Sequence, residues 1–118
     1  VDPLFTDSWT FRDDEGEQVI RPGNVFQVNV AEAMAKAAEA GLGICLLPDY
    51  VAVGSYQRGS LVRLLPHYRL HEKNIYALYP SRRFLDAKVK TWVEFLKEEI
   101  PKVLERHQAI VDDPAHWA

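Results

Sequence analysis

Two side-chain amides lead into the first helical pattern of the chain, Gln27 and Asn29 in F-Q-V-N-V-A-E-A-M. A short strand over residues 25–28 running straight into a helix puts them at the carboxyl end of a strand, where open α/β sheets bind ligands. The N–H groups of Val30 and Ala31 would fall in the first helical turn, unpaired within the helix and at its positive dipole end. Amides beside free backbone donors suit a small carboxylate. The plainer reading uses the same residue: Asn29 is a good N-cap, and Glu32 stands at capping-box spacing from it. Both readings stay open on the sequence alone.

The other chemical candidates are weaker. His67 and His71 are four apart, with Glu72 adjacent. On a helix they would share a face and offer two metal ligands, but Pro66 precedes them, the segment reads as a connection, and no third ligand is placed. Asp13, Asp14 and Glu15 precede a glycine; a calcium loop needs ligands at alternate positions, so an acidic hairpin turn fits better. G-L-G at 41–43 lacks a third glycine and follows a helix, where a dinucleotide fingerprint follows a strand. Cys45 lies in an apolar run and reads as a core cysteine, since a reactive thiolate needs exposure and positive neighbours. The pattern therefore names no catalytic residue, no metal site and no cofactor, and points away from an enzyme.

Length and composition agree with one compact soluble globular domain. The chain has 118 residues, 47% hydrophobic and 26% charged, with a formal net charge of −3. A nucleic-acid footprint needs a clustered basic face, and Arg82-Arg83 is too small to be one. One cysteine excludes an internal disulfide and suits a reducing cytosol. No span reaches the ~18 apolar residues of a membrane helix, and V-D-P-L-F-T-D-S is no signal peptide.

The elements that must position Gln27 and Asn29 follow from periodicity. Residues 9–12 (W-T-F-R) and 17–20 (E-Q-V-I) alternate around D-D-E-G and predict a β-hairpin. A helix spans Val30 to about Ala40, with Glu32 and Lys36 as an i,i+4 pair and Gly41 as its closing glycine. Its alanine-rich sides suit either a plain helix former or close approach by two partners. Leu42 to Leu47 is short and apolar throughout, the pattern of a strand buried on both faces of a parallel sheet. Pro48 ends it, residues 49–58 form a short helix, and Gly59 closes that. Leu61 to Leu65 and residues 74–79 are two further strands, each stopped by proline. A long helix begins near Arg83, with Leu85, Val89, Trp92, Val93, Leu96 and Ile100 on one face, and Pro101 breaks or kinks it before a second piece at 102–111. The tail D-D-P-A-H-W-A reads as loose unless Trp117 docks. This order predicts a mainly parallel sheet flanked by helices.

Four stretches in order carry a resemblance: W-T-F-R-D-D-E-G-E (9–17), N-V-A-E-A-M-A-K-A-A-E-A-G-L-G-I-C-L-L-P-D-Y (29–50), G-S-L-V-R-L-L-P-H-Y-R (59–69) and I-Y-A-L-Y-P-S-R-R-F-L-D-A-K-V-K-T-W-V-E-F-L (75–96). Together the chain resembles the C-terminal part of the effector-binding domain of LysR-type transcriptional regulators. The resemblance implies a two-lobed fold like type 2 periplasmic binding proteins. Residues 1–74 would be the second lobe. Residues 75–111 would be the crossover strand and C-terminal helices of the first lobe, and 112–118 a tail. The DNA-binding domain would be absent. A small-molecule effector would bind between the lobes, with Gln27, Asn29, Val30 and Ala31 as contacts and Leu78, Tyr79 and Pro80 as hinge. The resemblance further implies a cytoplasmic protein that self-associates through effector domains, meets DNA only through an N-terminal winged helix-turn-helix, and has no membrane partner. Two rival readings are a solute-binding lobe of a transport system and a stand-alone dimerisation module.

Overall fold

The computed structural model describes residues 8–23, 26–70, 72–79 and 86–118. The two alternating segments pair as an antiparallel hairpin of β1 (Trp9–Asp13) and β2 (Gly16–Ile20), with Trp9 opposite Ile20 and Asp13 opposite Gly16. Asp14 and Glu15 are thus the turn. Asp13 closes it: its Oδ1 accepts the N–H of Glu15 at 2.9 Å and of Gly16 at 3.0 Å, the local bond that makes aspartate a turn former. One carboxylate of the acidic trio is therefore spent on backbone. The other edge of β1 carries Arg69, whose N–H and C=O exchange bonds with Arg12, both at 2.8 Å. Phe11 is buried there, edge-on to Trp9 at 6.5 Å and to Tyr68 at 6.2 Å.

Two helices follow, α1 (Ala31–Glu39) and α2 (Asp49–Arg58). Each ends on a left-handed glycine, Gly41 at φ 85° and Gly59 at φ 70°. Leu42 N–H then reaches back to Ala37 C=O at 3.1 Å and Ser60 N–H to Ser55 C=O at 3.0 Å, so both ends satisfy carbonyls that the helices leave free. The helices pack through small residues: Ala35 is 5% exposed and Ala52 3% exposed, with Val53 and Ser55 buried beside them. No large side chain among the described residues is fully buried. Apolar burial at this contact is therefore modest, and polar contacts carry more of the pairing.

The main one is Glu39, the last residue of α1. Its Oε1 accepts from Ser60 Oγ at 2.7 Å, Ser55 Oγ at 2.8 Å and Arg58 Nη2 at 3.1 Å, all from α2 or its end, while Oε2 accepts from Lys36 Nζ at 2.8 Å. A carboxylate opposes the negative end of its own helix, and these four donors outweigh that. Lys36 bonds Glu39 at i+3 and not Glu32 as its spacing predicts, because Glu39 is already fixed by α2. Lys36 first, then Ser60 and Ser55, hold the Glu39 carboxyl far below the ordinary glutamate value of 4.5, against the opposing effect of burial.

The long helix α3 (Ala87–Val111) is continuous through Pro101, where the sequence predicts a break or kink. Proline removes the N–H that would bond Lys97 C=O, but both residues are exposed, where a freed carbonyl is not cut off from solvent. Val93, Leu96, Ile100 and Val103 are half-buried at helical spacing, while Trp92 and Phe95 stack on each other, ring centres 5.6 Å apart, in the open. Leu85 lies outside the described residues. The chain divides into two compact units, Val1–His71 with His107–Ala118, and Glu72–Arg106.

The expected parallel sheet is not assembled among the described residues. Leu42–Leu47, Leu61–Leu65 and residues 74–79 carry no ladder, and only the single bridges at Arg12–Arg69 and Arg63–Trp117 stand outside the hairpin. A strand requires a neighbour for its N–H and C=O groups; among the described residues Leu61–Leu65 meets one only at the single Arg63–Trp117 bridge, and the other two runs meet none. Their apolar residues face out accordingly: Ile44 is 69% exposed and Tyr76 74%. What stands is an α/β chain with one small antiparallel sheet and three α-helices among the described residues.

Overfilling the α1–α2 contact with Ala35→Leu is expected to cost about 1–3 kcal/mol, read as a lower urea midpoint at unchanged slope. Because folding lowers the Glu39 pKa, its stabilisation is full above the ordinary value of 4.5 and is lost as pH falls below it. Glu39→Gln is therefore expected to lower thermal stability at neutral pH and to leave it less dependent on pH between 5 and 3, measured by circular dichroism melts.

Candidate functional site

The segment before α1 is open. Gln27 and Asn29 are exposed, Val28 is half-buried, and Asn29 sits at a bend. The helix starts one residue later than the capping box predicts. Val30, at φ −119° and ψ 117°, is its N-cap, and no side chain caps it. Met34 N–H bonds Val30 C=O at 3.2 Å. The N–H groups of Ala31, Glu32 and Ala33 precede that first bond and have no partner within the helix. Valine cannot accept from them, so Asn29 does not do the capping that competed with its reading as a contact. Glu32 lies in the first turn and partly offsets the positive dipole end. The arrangement brings two free amide side chains and a set of backbone donors to one helix start.

Other expected residues fall elsewhere. Leu78 is 94% exposed and Tyr79 half-buried in the second unit; Pro80 lies outside the described residues, as does His71. His67 lies in a turn, with Tyr68 N–H on Leu65 C=O at 3.1 Å, and packs edge-on to Trp117 at 5.8 Å. No helix there presents it as one of a pair. Cys45 is half-buried, and burial raises its thiol pKa, away from a reactive thiolate.

A second polar centre gathers around Arg63. Arg63 Nη1 donates to Val111 C=O at 3.0 Å and to Asp112 Oδ1 at 2.9 Å, and Nη2 donates to Pro66 C=O at 3.3 Å. This long-range cation serves the C-terminal end of α3, where a positive charge is favoured. Asp49 and Tyr56 share its surroundings: burial raises both pKa values, and the Arg63 charge pulls both back. The signal was present, since an arginine inside L-V-R-L-L must be satisfied if its neighbours are covered.

The family model described as LysR substrate binding domain matches residues 2–101. The chain belongs to the LysR substrate-binding domain family. Among curated relatives, it is 33% identical over 93 residues to the HTH-type transcriptional regulator PtxR of Pseudomonas aeruginosa, covering 79% of this chain and 30% of that protein. It is 32% identical over 90 residues to the HTH-type transcriptional regulator DmlR of Escherichia coli, covering 76% and 29%. An uncharacterized HTH-type transcriptional regulator of Haemophilus influenzae is 38% identical over 61 residues, covering 52% and 21%. The chain thus spans less than a third of the length of these regulators, and corresponds to part of a LysR-type effector-binding domain. No solved structure matches. No helix among the described residues is long and apolar enough to cross a membrane.

Since α1 lacks a side-chain cap, Val30→Ser is expected to stabilise the chain by about 0.5–1.5 kcal/mol, measured as a higher urea midpoint.

Proposed function

We propose that the chain is the effector-sensing part of a LysR-type regulator and binds a small anionic metabolite at the start of α1. The family membership and the uncapped helix support this reading: Gln27 and Asn29 are free to hydrogen-bond a carboxylate that the Ala31 N–H and its neighbours also meet. Val30 and Ala31 contribute backbone and a low wall. In this reading the fold is type 2 periplasmic-binding-protein-like, and the ligand is closed between two lobes. Residues 1–74 belong to the second lobe, and 75–111 to the crossover and the first-lobe helices. Leu78, Tyr79 and Pro80 absorb the closing motion. The output is a change in how a winged helix-turn-helix elsewhere in the regulator sits on DNA, with self-association through effector domains. The protein works in the cytoplasm and performs no catalysis.

The observation that carries most weight is the family match together with a helix start that no side chain among the described residues caps. The test is a thermal-shift screen of the full-length regulator against small mono- and dicarboxylates. A hit is expected to raise the melting temperature in a dose-dependent way, and Gln27→Ala and Asn29→Ala are each expected to weaken its apparent affinity by about ten- to 150-fold, the loss of one hydrogen bond to a charged group. A hit whose affinity is unchanged in both variants removes these residues from the site.

A further inference from the structure

We propose that residues 112–118 form a releasable strap, fastened by Arg63, which opens as one unit from an otherwise intact fold. The sequence reads this tail as loose, yet it is tied down at several points. Arg63 N–H bonds His116 C=O at 2.7 Å and Ala118 N–H bonds Arg63 C=O at 3.0 Å, a parallel bridge that places Trp117 beside Arg63. Trp117 Nε1 donates to Val111 C=O at 3.2 Å, the carbonyl that also receives the Arg63 guanidinium. Asp113 caps the short 3-10 helix Pro114–His116 by accepting Ala115 N–H at 2.9 Å. His116 stacks on Tyr56 with ring centres 6.0 Å apart, and Trp117 meets His67 edge-on.

Three properties make this a latch and not a permanent core. First, the hydrogen bonds from the strap to the 61–69 segment pass through Arg63, by its backbone and its guanidinium. Loss of that one residue's position releases them together. Second, the closed arrangement sits beside two costs. Leu65 is a non-glycine residue in the left-handed region, at φ 54°, and His107 Nδ1 is buried without a partner. Both border the fastening in the chain, Leu65 two residues from Arg63 and His107 four before Val111. Third, the α1–α2 network at Glu39 shares no donor or acceptor with the strap; the strap meets α2 through the His116–Tyr56 ring stack. Asp112 behaves consistently: Gln108 first, then Arg63, holds its carboxyl below the ordinary value of 3.8, so the fastening is full above that value and weakens as pH falls below it.

The strap lies beyond the matched residues 2–101 and the inference stands apart from the effector-sensing reading. Its failure would leave Gln27 and Asn29 untouched. When released, the strap returns the Arg63 N–H and C=O to solvent and leaves an unpaired edge among the apolar residues Val62, Leu64 and Leu65, a conditional pairing surface.

The test is hydrogen exchange by NMR on the full chain at neutral pH. The Arg63 and Ala118 amides and the Trp117 indole N–H are expected to report one common opening. Arg63→Met, and independently Asp112→Asn, are expected to raise that opening about tenfold and about threefold, as charge-assisted bonds to the helix end are lost, with the Ser60 amide within twofold of the parent. Unequal opening of the three protons in the parent overturns the proposal. So does equal acceleration of Ser60, which would mean the whole unit unfolds. Should Arg63→Met fail to fold, the Asp112→Asn comparison decides the matter alone.

Discussion

One carboxylate holds the two short helices of the first unit together. Glu39 takes hydrogen bonds from both serines and the arginine of the α2 end, and a fourth from its own helix. The apolar contact beneath it is built mainly from alanine and valine and could not fix the pairing alone. Position therefore depends on a directional contact. The start of α1, where the ligand chemistry would be done, inherits its orientation from a residue at the opposite end of the same helix. The nine-residue helix links the two ends, with the Ala35 contact between them.

The difference between what the chain announced and what it formed comes down to where backbone bonds close. The hairpin and the bounds of α2 could be read in advance because their bonds close within a few residues and their ends carry aspartate or glycine. The three apolar runs could be recognised as strand-like but not paired, since a ladder depends on a second segment that local pattern cannot supply. The same reasoning covers Glu39 and Arg63. Each side chain is ordinary by local rules, and each acquires its role from groups far along the sequence. Pro101 differs in the other direction: the helix runs on through it, so the break that the local rule allows does not occur.

At the candidate site the capping-box spacing misled by one residue, and that error is informative. Had Asn29 been the cap, its side chain would have been occupied. With Val30 in that place the amide stays available and the helix start stays open. Membership of the LysR substrate-binding domain family and the open helix start rest on separate grounds, one on sequence kinship and the other on the hydrogen-bonding needs of a helix terminus.

The exposed apolar runs have a practical meaning as well. Ile44 in one unit, and Tyr76 and Leu78 in the other, present apolar side chains to water, with no sheet behind them among the described residues. Such surfaces are colloidally sticky, so concentration governs how the isolated chain behaves. Dilute samples with mild detergent or arginine would keep it dispersed, where crowded ones would drive it into clusters long before the helices themselves lose their shape.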